Sequence, residues 1–577
     1  MSDSINRGPV APKDPTKKRP FFYIMKNKEI FGAPQPDGSF THYLYMDMGR
    51  LIDAAKLSGN VTDEAMIENL KTRTGLQKMI HSMGVSVSSE DADRSVKFIA
   101  EMYPVTPGDE TTNIEADIPM DDMEMVIDLS GIDWKDGDRE LGQIRFVFDR
   151  EGIAATTTIK FYLNDGFEAP KQPMDEEVDF FSEAYRSMIE KSLMDIGNDG
   201  RLKAVLDKAE NGEELTLSFI GGSITQGAGA IPINEKCYAR VFYEEFAKRY
   251  MKGGKCRFVK AGVGGTPSEL GMIRFERDVL RDGREKPDLI VVEFAVNDEG
   301  DETQGVCFES LVRKALSLPW KPAVVLLFSV FSNDWNLQDR LSPVGRNYGL
   351  PMVSVLDAVS PQFPLMPGSG RVISKNRFFY DVYHPSNLGH KIMADCLINL
   401  MEKVNVGGNE AVKEFKTHEI RPVIGADFEN IELLDRKELP ALKEKYNISG
   451  VDEGSFDTKD EDLQAVEMDK EIEMIPEFPH NWCHPENCRE DAPFKMNLTC
   501  KQLLLVFKDS AGADHGIAQV FVDGKLIREA DPHINGWTHC NAVIVLNEED
   551  SREREVVIRM KEGHDNKKFT ILGFGVA

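Results

Sequence analysis

Five apolar runs between residues 215 and 356 constrain this chain more than any other feature. Leu215–Ile220, Arg257–Val263, Leu289–Phe294, Ala323–Phe331 and Pro351–Leu356 are almost continuously hydrophobic. A strand half-exposed to water alternates apolar and polar residues, whereas a parallel strand covered on both faces does not need to. Stretches with helical spacing separate the runs, at Tyr238–Tyr250, Glu269–Arg281 and Glu309–Ala315. A last helix is expected after Pro385, with Ile392, Met393, Cys396, Leu397 and Leu400 on its apolar face. This alternation predicts a doubly wound α/β domain of about five strands, whose site lies at the carboxyl ends of the strands.

The remaining chain reads differently. Its 577 residues correspond to three or four domains at about 150 residues each. The region before about residue 205 has a polar opening tail and one helix expected near Asp63–Ser82. Strand-like runs follow at Ser95–Met102, Met123–Leu129, Gly142–Phe148 and Ala155–Leu163. The last two are joined by Asp149–Gly152, which reads as a hairpin turn. The region from about 409 to 577 shows runs at Gln502–Phe507, Ile517–Val522, Ala542–Leu546, Glu555–Met560 and Phe569–Gly573. Its Asp523-Gly524 pair reads as a tight hairpin. Both flanks are expected to be β-sandwiches, around an α/β domain at 206–408. An acidic helix is expected over about Asp175–Ile196, and the acidic span Asp452–Ile475 fits either a linker or a draped loop.

Composition narrows the partners. With 69 Lys and Arg against 97 Asp and Glu, the chain carries a formal charge of −28. Nucleic acid and anionic membranes attract clustered cations, so neither is expected as a partner. No apolar run is long enough to span a bilayer and no secretory leader is evident at the start. The 8 cysteines are sparse and mostly isolated, which suits free thiols and a cytoplasmic location. His480, Cys483, His484 and Cys488 lie close in sequence, but their spacing is not that of a zinc pair. No metal and no cofactor are expected.

Four short blocks fall where the predicted strands end. The first strand leads into Gly221-Gly222-Ser223-Ile224-Thr225. The second leads into Gly262-Val263-Gly264-Gly265-Thr266, the third into Val296-Asn297-Asp298, and Asp381-Val382-Tyr383-His384 precedes the last helix. Each alone is weak, since Gly-Gly-Ser is a common turn and Asp-x-x-His is often a surface pair. Together, and in this order, they resemble the SGNH, or GDSL-like, hydrolase family. The aspartate of that family's Gly-Asp-Ser-Leu block is here Gly222.

The resemblance implies a flavodoxin-like three-layer catalytic domain flanked by the two β domains, and a serine esterase. It implies Ser223 as nucleophile, His384 as general base and Asp381 as its orienting partner. The implied oxyanion hole combines the Ser223 N–H, the Gly265 N–H and the Asn297 side chain. Gly265 is preferred to Gly264 by aligning the block. The flanking β regions look like accessory domains of carbohydrate acetylesterases. Deacetylation of plant-type oligosaccharides such as mannan or xylan fragments is therefore expected, without a cofactor. Trp335 and Trp537, each beside polar residues, are candidates for holding a sugar ring. A lipid-type esterase, a thioesterase or another O-acetylesterase is the alternative, and a non-catalytic sugar-binding protein is the competing class. The sequence leaves the oligomeric state open, a homodimer included.

Overall fold

The computed structural model describes residues 19–106, 108–407, 416–469, 474–488, 492–510 and 512–577. The polar opening tail and the 408/409 boundary expected from sequence lie outside the described residues.

The N-terminal region is a pair of four-stranded antiparallel sheets. Strands β1 (Phe21–Phe31), β2 (Phe40–Tyr45), β3 (Ile80–Ser89), β4 (Ser95–Pro104), β5 (Asn113–Pro119), β6 (Met125–Asp128), β7 (Asp138–Phe148) and β8 (Ala154–Leu163) build it. Their orders are β1-β8-β3-β6 and β2-β7-β4-β5. Alternating residues such as Phe22, Phe98, Phe146 and Phe161 meet in one buried core between them. Two expectations change here. The turn Asp149–Gly152 is not a hairpin: β7 bonds β2 and β4, and β8 bonds β1 and β3, so the turn carries the chain between sheets. The helix expected over Asp63–Ser82 is two short helices, α2 (Glu64–Leu70) and α3 (Arg73–Met79), after an unforeseen α1 (Arg50–Gly59). Thr72 breaks the run by turning extended and capping the second helix through its Oγ1 and the Gly75 N–H.

The central sheet has the order β11-β10-β12-β13-β14-β9. These are β9 (Leu193–Asp195), β10 (Leu215–Gly221), β11 (Cys256–Gly262), β12 (Leu289–Glu293), β13 (Ala323–Phe328) and β14 (Met352–Ser354). Five run parallel, and β9 pairs β14 antiparallel as an edge. The apolar runs are buried on both faces. Leu217, Phe219 and Val291 join one core cluster, while Ile220, Ile290 and Val292 join the other. The acidic helix expected over Asp175–Ile196 is shorter, Glu183–Glu190, and gives way to β9. The helix expected over Glu269–Arg281 is split into Ser268–Ile273 and Phe275–Asp278.

The C-terminal region forms one eight-stranded antiparallel sheet. Its long strands, Phe494–Asp509 and His539–Met560, each absorb what the sequence shows as a shorter run or as two runs. Asp523 and Gly524 both adopt positive φ, and Val522 faces Lys525 across the tight turn. Trp482–His484 is a short strand on Phe569–Ile571, with Trp482 packed against Phe494 and Phe574. The span that fitted either a linker or a draped loop is draped. Gln464 Nε2 donates to the Gly264 carbonyl at 2.9 Å, and Asp469 pairs with Arg281 at 2.9 Å.

Candidate active site

Strand β10 delivers Ser223 to the first position of a four-residue helix, Ser223–Gln226. The preceding glycines make this approach possible. A Cβ on Gly221 would lie 2.2 Å from Thr225 Oγ1, and one on Gly222 would lie 2.2 Å from Asn297 Oδ1. Hydrogen at Gly222 lets the Asn297 amide sit against the serine turn, and hydrogen at Gly221 lets Thr225 and the Glu293 carbonyl close on the strand end.

The Ser223 hydroxyl lies 3.0 Å from His384 Nε2, and His384 Nδ1 lies 2.8 Å from Asp381 Oδ2. Asp381 Oδ1 accepts from the N–H groups of Tyr383 and His384 at 2.8 and 2.9 Å. This turn fixes carboxylate and imidazole together. Partial burial opposes ionisation of Asp381. The charge and hydrogen bond of His384 and the two backbone N–H groups outweigh it and hold the carboxyl below the usual range. In this arrangement the imidazole can take the serine proton while the carboxylate orients and stabilises it, which would make the hydroxyl a nucleophile.

Gly264 and Gly265 separate cleanly. The Gly264 N–H is taken by Gln226 Oε1 at 2.8 Å. The Gly265 N–H has no protein acceptor among the described residues, and neither does that of Ser223. Gly265 has φ +71°, and a Cβ there would lie 2.6 Å from His539 Nε2 and 3.0 Å from Trp537. Trp537 stands edge-on to His539, centroids 4.5 Å apart, so the C-terminal domain places a tryptophan at the glycine turn. The other candidate, Trp335, stacks on Phe331, which meets Tyr383 beside His384. The structure therefore brings Ser223, Asp381, His384, Gly265, Asn297 and Trp537 to one end of the sheet, while Trp335 is linked to His384 only through Phe331 and Tyr383.

Several supporting residues carried no sequence signal. Glu293 ends β12 opposite Gly221 and accepts from Thr225 at 3.0 Å and from Ser329. Burial pushes its carboxyl up to about 7 despite both bonds. Lys28 of the N-terminal domain buries its amine against the carbonyls of Asn376 and Phe379, just before Asp381. Burial brings that amine down to about 8. His42 meets the Tyr380 hydroxyl at 2.9 Å. The Lys28 and His42 contacts span more than 300 residues of chain, so no local pattern could reveal them.

Sheet order, the Ser223 turn and the Asp-His loop have the arrangement of an SGNH-type α/β domain. Residues 219–392 match the model of the GDSL-like lipase/acylhydrolase family. Among solved structures, a two-domain esterase active on acetylated mannans is similar, with 25% identity and a TM-score of 0.55. The match covers 67% of this chain and 98% of that one. The same enzyme co-crystallised with mannopentaose matches equally. An acetyl xylan esterase from Geobacillus stearothermophilus matches at 20% identity and TM-score 0.26, over 35% of this chain and 97% of that one. No curated protein matches the chain. No helix among the described residues is long and apolar enough to cross a membrane.

Proposed function

We propose that the protein is a serine esterase that removes O-acetyl groups from acetylated oligosaccharides of mannan or xylan type. The hydrogen-bonded chain Ser223–His384–Asp381 carries this reading. The likeness to an esterase active on acetylated mannans supports the substrate class.

In this reading Ser223 Oγ attacks the acetyl carbonyl while His384 Nε2 takes the hydroxyl proton. The carbonyl π electrons move onto oxygen. The Ser223 and Gly265 N–H groups and the Asn297 side chain stabilise that charge. Collapse breaks the ester C–O bond, and His384 returns the proton to the departing sugar oxygen. Water then attacks the acetyl-serine, with His384 again as base, and acetate leaves. Asp381 holds the imidazole tautomer throughout.

Acetate release from defined acetylated oligosaccharides tests this. Ser223→Ala is expected to lose at least about 10³-fold in kcat, the scale seen when a triad member is removed, with an unchanged melting profile. Full turnover by that variant would overturn the assignment.

A further inference from the structure

A cavity of about 330 Å³ opens between the N-terminal domain and the Asp-His loop. On one side stand Tyr43, Tyr45, Arg50 and Asp53, from β2 and α1. On the other stand Tyr380 to His384. Ser223, Gly265, Asn297 and Trp537 do not line it; it opens along the Asp381–His384 loop, beside the imidazole and away from the proposed oxyanion donors. That side has a chemical meaning. The imidazole that deprotonates the nucleophile must hand the proton to the leaving oxygen, so the leaving alcohol has to lie against it.

We infer that the N-terminal domain supplies the subsite for the leaving sugar. The wall of Tyr43, Tyr45, Arg50 and Asp53 receives the neutral pyranose whose hydroxyl carries the ester, facing His384. This rests on the carbohydrate-esterase reading above and extends it to a domain outside the hydrolase fold.

The lining suits such a ligand. Tyr43 and Tyr45 present parallel rings, centroids 6.3 Å apart and planes 11° apart. Tyr45 and Tyr383 keep 55% and 47% of their surface exposed, so aromatic faces are open on both walls. Sugars offer C–H faces to aromatic rings and hydroxyls to charged side chains. Arg50 donates to Asp47 at 2.6 Å and keeps further N–H groups for a ligand. The Asp53 carboxylate accepts no side-chain hydrogen bond among the described residues, although α1 holds it half-buried at the cavity. Burial pushes its carboxyl up, and Asp381 nearby adds to the shift. Hydroxyl donors from a sugar would hydrogen-bond that carboxylate without adding charge beside Asp381.

The test compares kcat/KM of the full chain on acetylated mannotriose with that on 4-nitrophenyl acetate, whose leaving group fills little of the cavity. In Asp53→Ala and in Tyr45→Ala, the ratio of the two is expected to fall about tenfold or more, as for a lost hydrogen bond to a charged group. The loss should appear mainly in KM for the oligosaccharide. Tyr45 is exposed, so its variant keeps the test valid should Asp53→Ala fold poorly. An unchanged ratio in both variants, or an equal loss on both substrates, overturns the subsite while the esterase reading stands. A wild-type chain active on the aryl ester but on no acetylated oligosaccharide overturns the carbohydrate reading and this subsite together.

Discussion

Gly265 shows how much chemistry can hang on one missing side chain. Its φ of +71° is a region that side chains rarely adopt, and any Cβ would run into His539 and Trp537. In the proposed mechanism, Gly265→Ala is expected to displace an N–H that stabilises the oxyanion and lower kcat on 4-nitrophenyl acetate about 10²-fold, with KM changed much less. Steady-state kinetics on the purified variant checks this. Glu293 makes the complementary case for a buried acid. Its value of about 7 lies above the ordinary 4.5, so the folded state holds the proton more tightly than the unfolded one. The resulting stabilisation is complete below pH 4.5 and lost as pH rises through 7. Wild type should lose stability relative to Glu293→Gln between pH 5 and 8, by on the order of 3 kcal/mol at most. Denaturant midpoints at the two pH values would reveal it. The hydrogen-bonded set Ser223, His384 and Asp381 was legible because these residues stand at strand and helix ends in a fixed order. Glu293 was not, because a glutamate at the end of Leu-Ile-Val-Val-Glu says nothing about the hydroxyls that fold onto it.

At the scale of elements, the helix Asn387–Val406 anchors the Asp-His loop. Ser386 caps it, accepting from the Gly389 N–H at 3.2 Å and donating to the Arg377 carbonyl at 2.6 Å. Ser386→Ala removes both bonds two residues after His384. It should cost about 1–2 kcal/mol of stability, measured by chemical denaturation, with a parallel drop in kcat as the loop loosens. Buried parallel strands were the most legible elements, since continuous apolar runs have few alternative folds. The edge strand Leu193–Asp195 was hidden by its length and by the acidic helix pattern before it. The misread hairpin at Asp149–Gly152 has a simple cause. Local turn chemistry shows where a strand ends, but the choice between bonding the preceding strand and crossing to a second sheet is made by distant partners.

At the scale of the whole molecule, the central α/β domain is not a free-standing unit. Phe478, Leu504, Val506, Cys540 and Leu572 of the C-terminal region share one buried core with Ile273, Phe275 and Leu311. A chain ending near residue 407 exposes that face. It is expected to aggregate or to melt at least about 10 °C lower, which follows from a loss of several kcal/mol; thermal scanning of the truncated chain decides. The charge of −28 helped exclude partners in the sequence, yet it had no part in locating the site. Lys28 reaches forward nearly 350 residues to brace the Asp-His loop, and His539 reaches back from the last domain to the Gly265 turn. A ribosome making this protein therefore exposes Ser223, Asp381 and His384 well before the last brace exists. On the proposed function, ester cleavage should switch on late in synthesis, when residues 535–539 leave the exit tunnel, so that a chain two-thirds made already holds Ser223, Asp381 and His384 without the support that completes their site.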